Sequence, residues 1–218
     1  MEAIGRSFPI DNSMGMATST DGGYNWKTHA STFPPIGGGH REVMLRLGSR
    51  AENPLMMCSD IAARTKQIRL GQACNVITFW NPIRLAEDIA ALDQLSKGRV
   101  EVGIGRGVYG REAVHMNIEA DLKDQAKNKR LFQETLAVMK KAWTEKFFNH
   151  KGEFYTYPSP NFVWQHDMSP PDEDFIDLKT NQIKKISVIP QPYQKPHPPI
   201  WQVVDSTGSI EWAAKNKI

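Results

Sequence analysis

The sequence predicts an α/β fold of parallel strands and crossover helices, a partial (β/α) barrel, and three observations predict it. The stretch 81–107, NPIRLAEDIAALDQLSKGRVEVGIGRG, joins an amphipathic helix to a buried strand that ends in an arginine flanked by glycines. With the strand before it, this helix makes a strand-helix-strand run of about forty residues. Such a run is a right-handed parallel crossover, the repeating unit of doubly wound sheets and of (β/α) barrels. A further helix and strand follow, so about three parallel strands are legible where a closed barrel needs eight strands and about 250 residues. The chain stops at Ile218 soon after its last helix begins, and a truncated barrel is therefore expected.

Residues 1–50 are rich in Gly, Ser, Thr and Asn without useful periodicity, and are expected to be mostly irregular. The partial barrel is expected over 51–218. Its first helix enters through Asn53-Pro54, with proline at the first helical position, and closes at Arg64-Thr65-Lys66. Residues 67–77 hold Ile68, Leu70, Ala73, Val76 and Ile77 among few charges, which fits one strand buried on both faces. Asn81 caps the next helix and Pro82 takes its first position. Leu85, Ile89 and Leu92 form its apolar stripe, and Gly98 ends it.

Val100 to Ile104 is the second strand, and 108–116 read as loop. Phe132, Leu136, Met139 and Trp143 mark one face of a helix that reaches about Lys146. Ile200 to Val204 is a third short strand, and Ser206 opens the last helix. The intervening 149–199 is dense in proline and aromatics and too long for an ordinary connection. Within this inserted excursion, 153–157 and 185–189 alternate enough to pair as a hairpin, and the whole is expected to cover something.

Composition narrows the function classes. A chain of 218 residues, 40% hydrophobic and 23% charged, can bury a substantial core. Its formal charge of +3 with both signs scattered gives no basic stripe for nucleic acid. Cys58 and Cys74 are too few for a disulfide framework or a four-thiolate zinc site. No apolar run approaches membrane-spanning length, and the start lacks the regions of a secretory signal, so the cytoplasm is expected.

Gly103-Ile104-Gly105-Arg106-Gly107 lets a ligand approach the backbone at a strand end and supplies a forked cationic donor for phosphate. A glycine-rich turn with a solvated arginine is the alternative. The dinucleotide fingerprint fails, because GxGxxG must open a helix. Arg130 forms a basic cluster with Lys127 and Lys129, which is also what a solvated helix face looks like. Ser206 and Ser209 follow a buried strand at a helix start, where free N–H groups and the positive dipole end suit an anion. Simple capping by Ser206 is the alternative there.

Other candidates read as packing or turns. Gly37-Gly38-Gly39-His40 lacks the Lys and Ser/Thr of a nucleotide-phosphate loop. His115, His150, His166 and His197 have no metal-ligand spacing, so no metal is expected. Cys74 in a strand reads as packing. Phe148, Phe154, Tyr155, Tyr157 and Trp164 suit either an apolar substrate cavity or ordinary packing.

Three separated blocks, AARTKQIRLG, NPIRLAEDIAALDQLSKGRVEVGIGRGVYGRE and PHPPIWQVVDSTGSIEWAAKN, resemble the bacterial luciferase-like flavin monooxygenases in order and spacing. The resemblance covers roughly residues 53–218. It implies a (β/α)8 TIM-barrel family. It also implies oxidation of a small organic substrate with reduced FMN (FMNH2) and molecular oxygen. The reduced flavin would come from a separate flavin reductase, and a homo- or heterodimer is implied.

The flavin phosphate cradle carries over to Arg106, Arg130, Ser206 and Ser209, with Asp205 contacting flavin through its backbone. A non-prolyl cis peptide carries over to the neighbourhood of Ala73-Cys74. The family's early strand ending in Glu-His-His, whose histidine assists the chemistry, has no match here. His40, in GGGHREV, lies nearest but in different surroundings, so no catalytic residue is assigned. The reactive thiol of light-emitting members falls on Gly105. Two rivals stay open: a deazaflavin-dependent hydride-transferring oxidoreductase of the same superfamily, and an inactive chain serving as a partner subunit.

Overall fold

The computed structural model describes residues Glu2–Ala3, Met16–Thr18, Lys27–His29, 54–166 and 171–218. The first three segments are short strands β1, β2 and β3, paired antiparallel in that order. They add local order to a region whose composition suggested mostly loop. Helix α1, Pro54–Arg64, starts at the expected proline. The strand expected over 67–77 is instead two, β4 at Leu70–Gly71 and β5 at Asn75–Val76, followed by a 3-10 turn at Ile77–Phe79.

The reason for the break is an extra residue. Leu70 and Gly71 face Val100 and Glu101 of strand β6, Val100–Gly105, while Asn75 and Val76 face Ile104 and Gly105. Three residues on one side thus oppose two on the other, which is a bulge. The Ala73–Cys74 peptide bond inside it is cis, where the family resemblance placed such a bond. Gly103 faces the bulge with no side chain, and a Cβ there would collide with the Gln72 carbonyl oxygen. Two amides turned inward by the bulge pair in part: Asn75 Nδ2 donates to Gln72 Oε1 at 2.7 Å and Gln72 Nε2 lies 3.1 Å from Cys58 Sγ, while Asn75 Oδ1 is buried without a hydrogen-bond partner.

Helix α2, Pro82–Ser96, is built as its sequence dictates. Asn81 Oδ1 accepts from the N–H groups of Ile83 and Arg84 at 3.0 and 3.2 Å. At the other end Lys97 is the left-handed cap at φ 56°, and Gly98 follows at φ 80°. Arg99 then ties this turn to α1. Its guanidinium donates to the carbonyls of Ala62, Thr65 and Ile68 at 2.9 to 3.1 Å, satisfying acceptors at the end of α1.

Strand β6 is the centre of a parallel sheet, with β4 and β5 on one side and β9, Ile200–Gln202, on the other. Between them run α3, Gly110–Met116, and α4, Gln125–Thr144. Helix α3 replaces the loop expected over 108–116; with only Ala113 buried, it carries too little apolar periodicity to show in the sequence.

Val100, Val102 and Ile104 are fully buried in one core with Leu85, Ile89 and Phe132. Each such side chain contributes roughly 1.5–3 kcal/mol of burial. Small residues let the helices close on one another, since Trp143 Nε1 reaches the Ala86 carbonyl at 3.0 Å. The other sheet face carries Glu101, Gly103 and Gly105, and in a closed barrel it would point inward.

The excursion folds differently from expectation. Strands β7, His150–Lys151, and β8, Thr156–Tyr157, form the hairpin, so 153–157 pairs with 150–151 rather than with 185–189. Ile186 bridges Phe148 instead. The hairpin turn closes over a carboxylate: Glu134 on α4 accepts from the N–H groups of Glu153, Phe154 and Tyr155, and sits 2.9 Å from His150 Nε2. No helix among the described residues is long and apolar enough to cross a membrane. The chain closes with α5, Thr207–Lys215.

Candidate functional site

A cleft of about 90 Å3 opens where β6, α4, β9 and α5 meet, and Arg106, Lys129, Ser206 and Ser209 line it. Arg106 arrives on the end of β6. Its carbonyl accepts from Thr78 Oγ1 at 3.1 Å and Asn128 Nδ2 at 3.4 Å, while its Nη1 leans on Gln125 Oε1 and Asn128 Oδ1 at 3.3 and 3.4 Å. The fully buried Asn128 therefore grips both ends of Arg106, and is fixed in turn by donating to the Ala120 carbonyl at 2.9 Å. These contacts to neutral groups are long, and among the described residues no carboxylate pairs with the guanidinium. Its charge is available to an anion.

Ser206 caps α5 with extended backbone, its side chain accepting from Ser209 N–H. The two hydroxyls share a short hydrogen bond, and Ser209 Oγ donates to the Ser206 carbonyl at 3.0 Å. Capping and an anion site are compatible here, because the N–H groups of Thr207 and Gly208 have no acceptor among the described residues and the two hydroxyls can turn from each other toward a bound anion. Gly208 adds openness, as a Cβ there would meet nothing within 4 Å.

The basic cluster on α4 divides three ways, since consecutive helical residues point about 100° apart. Lys127 pairs with Glu119 at 2.6 Å and Arg130 with Glu153 at 2.8 Å, whereas Lys129 lines the cleft. The structure thus brings Arg106, Ser206 and Ser209 together and does not bring Arg130 to them. Asp205 is exposed beside the cap and is not part of the lining. Lys129, Gln133 and Gln202 occupy the lining in addition. Their signal was available: Lys129 lies one turn before Phe132 and Gln133 on α4, and Gln202 shares the strand face of Ile200.

The cleft passes a test of chemical fit for a phosphate monoester. It combines two cationic side chains, two hydroxyls and a helix N-terminus. It also holds an orphan, since Gln202 Oε1 is buried without a hydrogen-bond partner. A buried amide in that state is an unmet polar demand inside the cleft. The volume suits a phosphate group alone, because sites for whole cofactors run to about 300–1,000 Å3. Phe132 and Trp212 close its apolar wall, edge to face at 5.6 Å.

The aromatics of the excursion split into separate groups. Phe154 and Tyr155 pack on Ala113, Ala120 and Leu131 near the strand ends, Phe148 is in the main core, and Trp164 meets Phe175 edge-on. Cys74 is half-buried and its thiol is pushed up to about 11 by burial, which makes it a poor nucleophile. Gly37, Gly38, Gly39 and His40 lie outside the described residues.

A family model described as luciferase-like monooxygenase matches residues 37–217. The chain is 32% identical over 166 residues to the flavin-dependent trigonelline monooxygenase, oxygenase component, of Acinetobacter baylyi, covering 76% of this chain and 38% of that protein. It is 28% identical over 165 residues to the alkanal monooxygenase beta chain of Photorhabdus luminescens, covering 76% and 41%.

Among solved structures, the oxygenating constituent of 3,6-diketocamphane monooxygenase from Pseudomonas putida, in complex with FMN, matches with a TM-score of 0.56. The identity is 23%, the match covers 78% of this chain and 42% of that one, and the likeness is one of fold. The chain spans about two fifths of the length of the curated relatives it matches. Four parallel strands with crossover helices and a family match over most of the chain agree: the chain belongs to the luciferase-like monooxygenase family.

Proposed function

We propose that this chain acts as the oxygenase part of a flavin-dependent monooxygenase, taking reduced FMN from a separate reductase and oxidising a small organic substrate with molecular oxygen. The observation that carries the reading is the convergence of Arg106, Lys129, Ser206 and Ser209 on one cleft at the start of α5. Family membership supports it, as does the name of the Acinetobacter baylyi relative, an oxygenase component. The proposed setting is the cytoplasm, with 51–218 as the catalytic unit, alone or paired with a second subunit.

When bound, reduced flavin supplies the electrons with which oxygen is activated. The chain's own residues bind and orient. Arg106 and Lys129 neutralise the phosphate, Ser206 and Ser209 donate to its oxygens, and Asn128 keeps Arg106 aimed. The Gln202 amide, turned over, would present its N–H to the same anion. Asp205 would touch flavin through its backbone, and Arg130 would join the cradle only by leaving Glu153. The hairpin β7–β8, held by Glu134 and packed through Phe154 and Tyr155 on the α3–α4 cluster, would be the part of the excursion that excludes water.

Stopped-flow absorbance tests the activity. Anaerobic reduced FMN, mixed with the protein and then with oxygen, is expected to reoxidise through a slow protein-dependent phase. Reoxidation identical to that of free flavin, or hydride transfer from a reduced deazaflavin without oxygen, would overturn the reading.

A further inference from the structure

A cavity of about 810 Å3 lies at the opposite end of α4 from the phosphate cleft. From Phe132 to Thr144 the helix rises about 18 Å at 1.5 Å per residue, so the two are separate places. Aromatic and aliphatic side chains form its walls, among them Trp143, Phe147, Trp164, Phe175 and Ile186. The rings hold one another: Phe147 stacks on Phe175 with centroids 5.8 Å apart, and Trp164 meets Phe175 edge-on at 5.8 Å. Backbone hydrogen bonds at 2.9 and 2.8 Å between Phe148 and Ile186 fix the floor.

The charge of this cavity has one sign. Lys146, Lys185 and Lys195 belong to the lining, and no Asp or Glu does. Among the described residues none of these lysines has a carboxylate within ion-pair distance. Lys146 already places its ammonium 4.8 Å from the centre of the Phe147 ring. The volume lies within the ordinary range for a small-molecule site, which combines apolar walls with a few charged groups that fix orientation. Flat rings on the walls suit a flat ring between them, and unpaired ammonium groups suit an anionic head.

We propose that this cavity is a second ligand site, selective for a small aromatic anion, with a naphthalene carboxylate as its probe. It stands independently of the flavin reading, because it shares no residue with the cleft.

Tryptophan fluorescence of the full chain, titrated with 2-naphthoate, tests it, with 2-naphthalenemethanol and 2-naphthylmethylammonium as neutral and cationic counterparts. Saturable quenching by the carboxylate is expected, at least tenfold tighter than by either counterpart. The combined Lys146→Gln, Lys185→Gln and Lys195→Gln variant, whose changes all fall on exposed residues, is expected to weaken it at least tenfold. Lys185→Gln alone should weaken it severalfold, and Arg106→Ala should leave it unchanged. Absent saturation, equal binding of all three probes, or loss in Arg106→Ala with retention in the lysine variants overturns the proposal.

Discussion

Arg130 and Glu153 hold each other through two parallel hydrogen bonds, Nε to Oε2 at 2.8 Å and Nη2 to Oε1 at 3.0 Å, one residue along α4 from the lysine that faces the cleft. The mutual bond raises the proton affinity of the guanidinium and holds the Glu153 carboxyl below its ordinary value. Both groups are exposed, so the pair adds little stability. Its consequence is positional, since the cation that the family resemblance singles out for phosphate is engaged elsewhere. Lys129→Gln is therefore expected to weaken FMN binding about tenfold, a change of about 1.4 kcal/mol, and Arg130→Gln less than about twofold. Isothermal titration of both variants checks this, and the reverse order would restore Arg130 to the cradle.

The divided basic cluster also marks how far the sequence could be read. The crossover, the α2 stripe of Leu85, Ile89 and Leu92, its Asn81 cap and the strand containing Gly103 were legible because each rests on local spacing or local backbone chemistry. So was the meeting of Arg106, Ser206 and Ser209 in one candidate cleft, because they sit at strand and helix ends. The bulge at 72–74, the helix α3 and the direction in which Arg130 points were not. Each depends on a partner distant in sequence: Gly103 for the bulge, Ala120 and Leu131 around Ala113 for α3, and Glu153 for Arg130.

Two glycines of β6 are required for different reasons, and double substitution separates them. An added Cβ at Gly105 would strike the Cys74 sulfur, whereas one at Gly103 would strike the Gln72 backbone carbonyl. Each single change to alanine is expected to cost about 1–3 kcal/mol in chemical denaturation. Cys74→Ala should largely rescue Gly105→Ala and leave Gly103→Ala unrescued. Equal rescue of both would contradict the packing described.

Glu134 gathers three backbone N–H groups of the hairpin turn, and Gly152 passes so close that any side chain there would strike the carboxylate. Glu134→Leu leaves those donors without an acceptor and is expected to destabilise by about 1–3 kcal/mol. Hydrogen exchange should accelerate most at Glu153, Phe154 and Tyr155. Acceleration spread evenly over the chain would mean that the residue supports the core rather than the hairpin.

Burial pushes the Cys74 thiol up to about 11, so the folded chain holds this proton more tightly than the unfolded chain does. The associated stability is complete below about pH 9 and is lost as pH rises from there through about 11. Cys58, Tyr155 and Tyr157 are shifted the same way by burial and add to the alkaline loss. Urea midpoints measured from neutral to strongly alkaline pH should fall less in Cys74→Ala than in the wild type. Identical slopes would remove the thiol from the account.

The central claim is that the cleft at the start of α5 holds a flavin by its phosphate. Fluorescence titration with FMN and with riboflavin, which has the same ring and no phosphate, tests it most directly. Wild-type protein is expected to bind FMN at least tenfold more tightly than riboflavin, and Arg106→Ala and Ser206→Ala should each erode that preference while leaving riboflavin binding unchanged. Equal affinity for the two flavins in the wild type, or a preference that survives both substitutions, would contradict it.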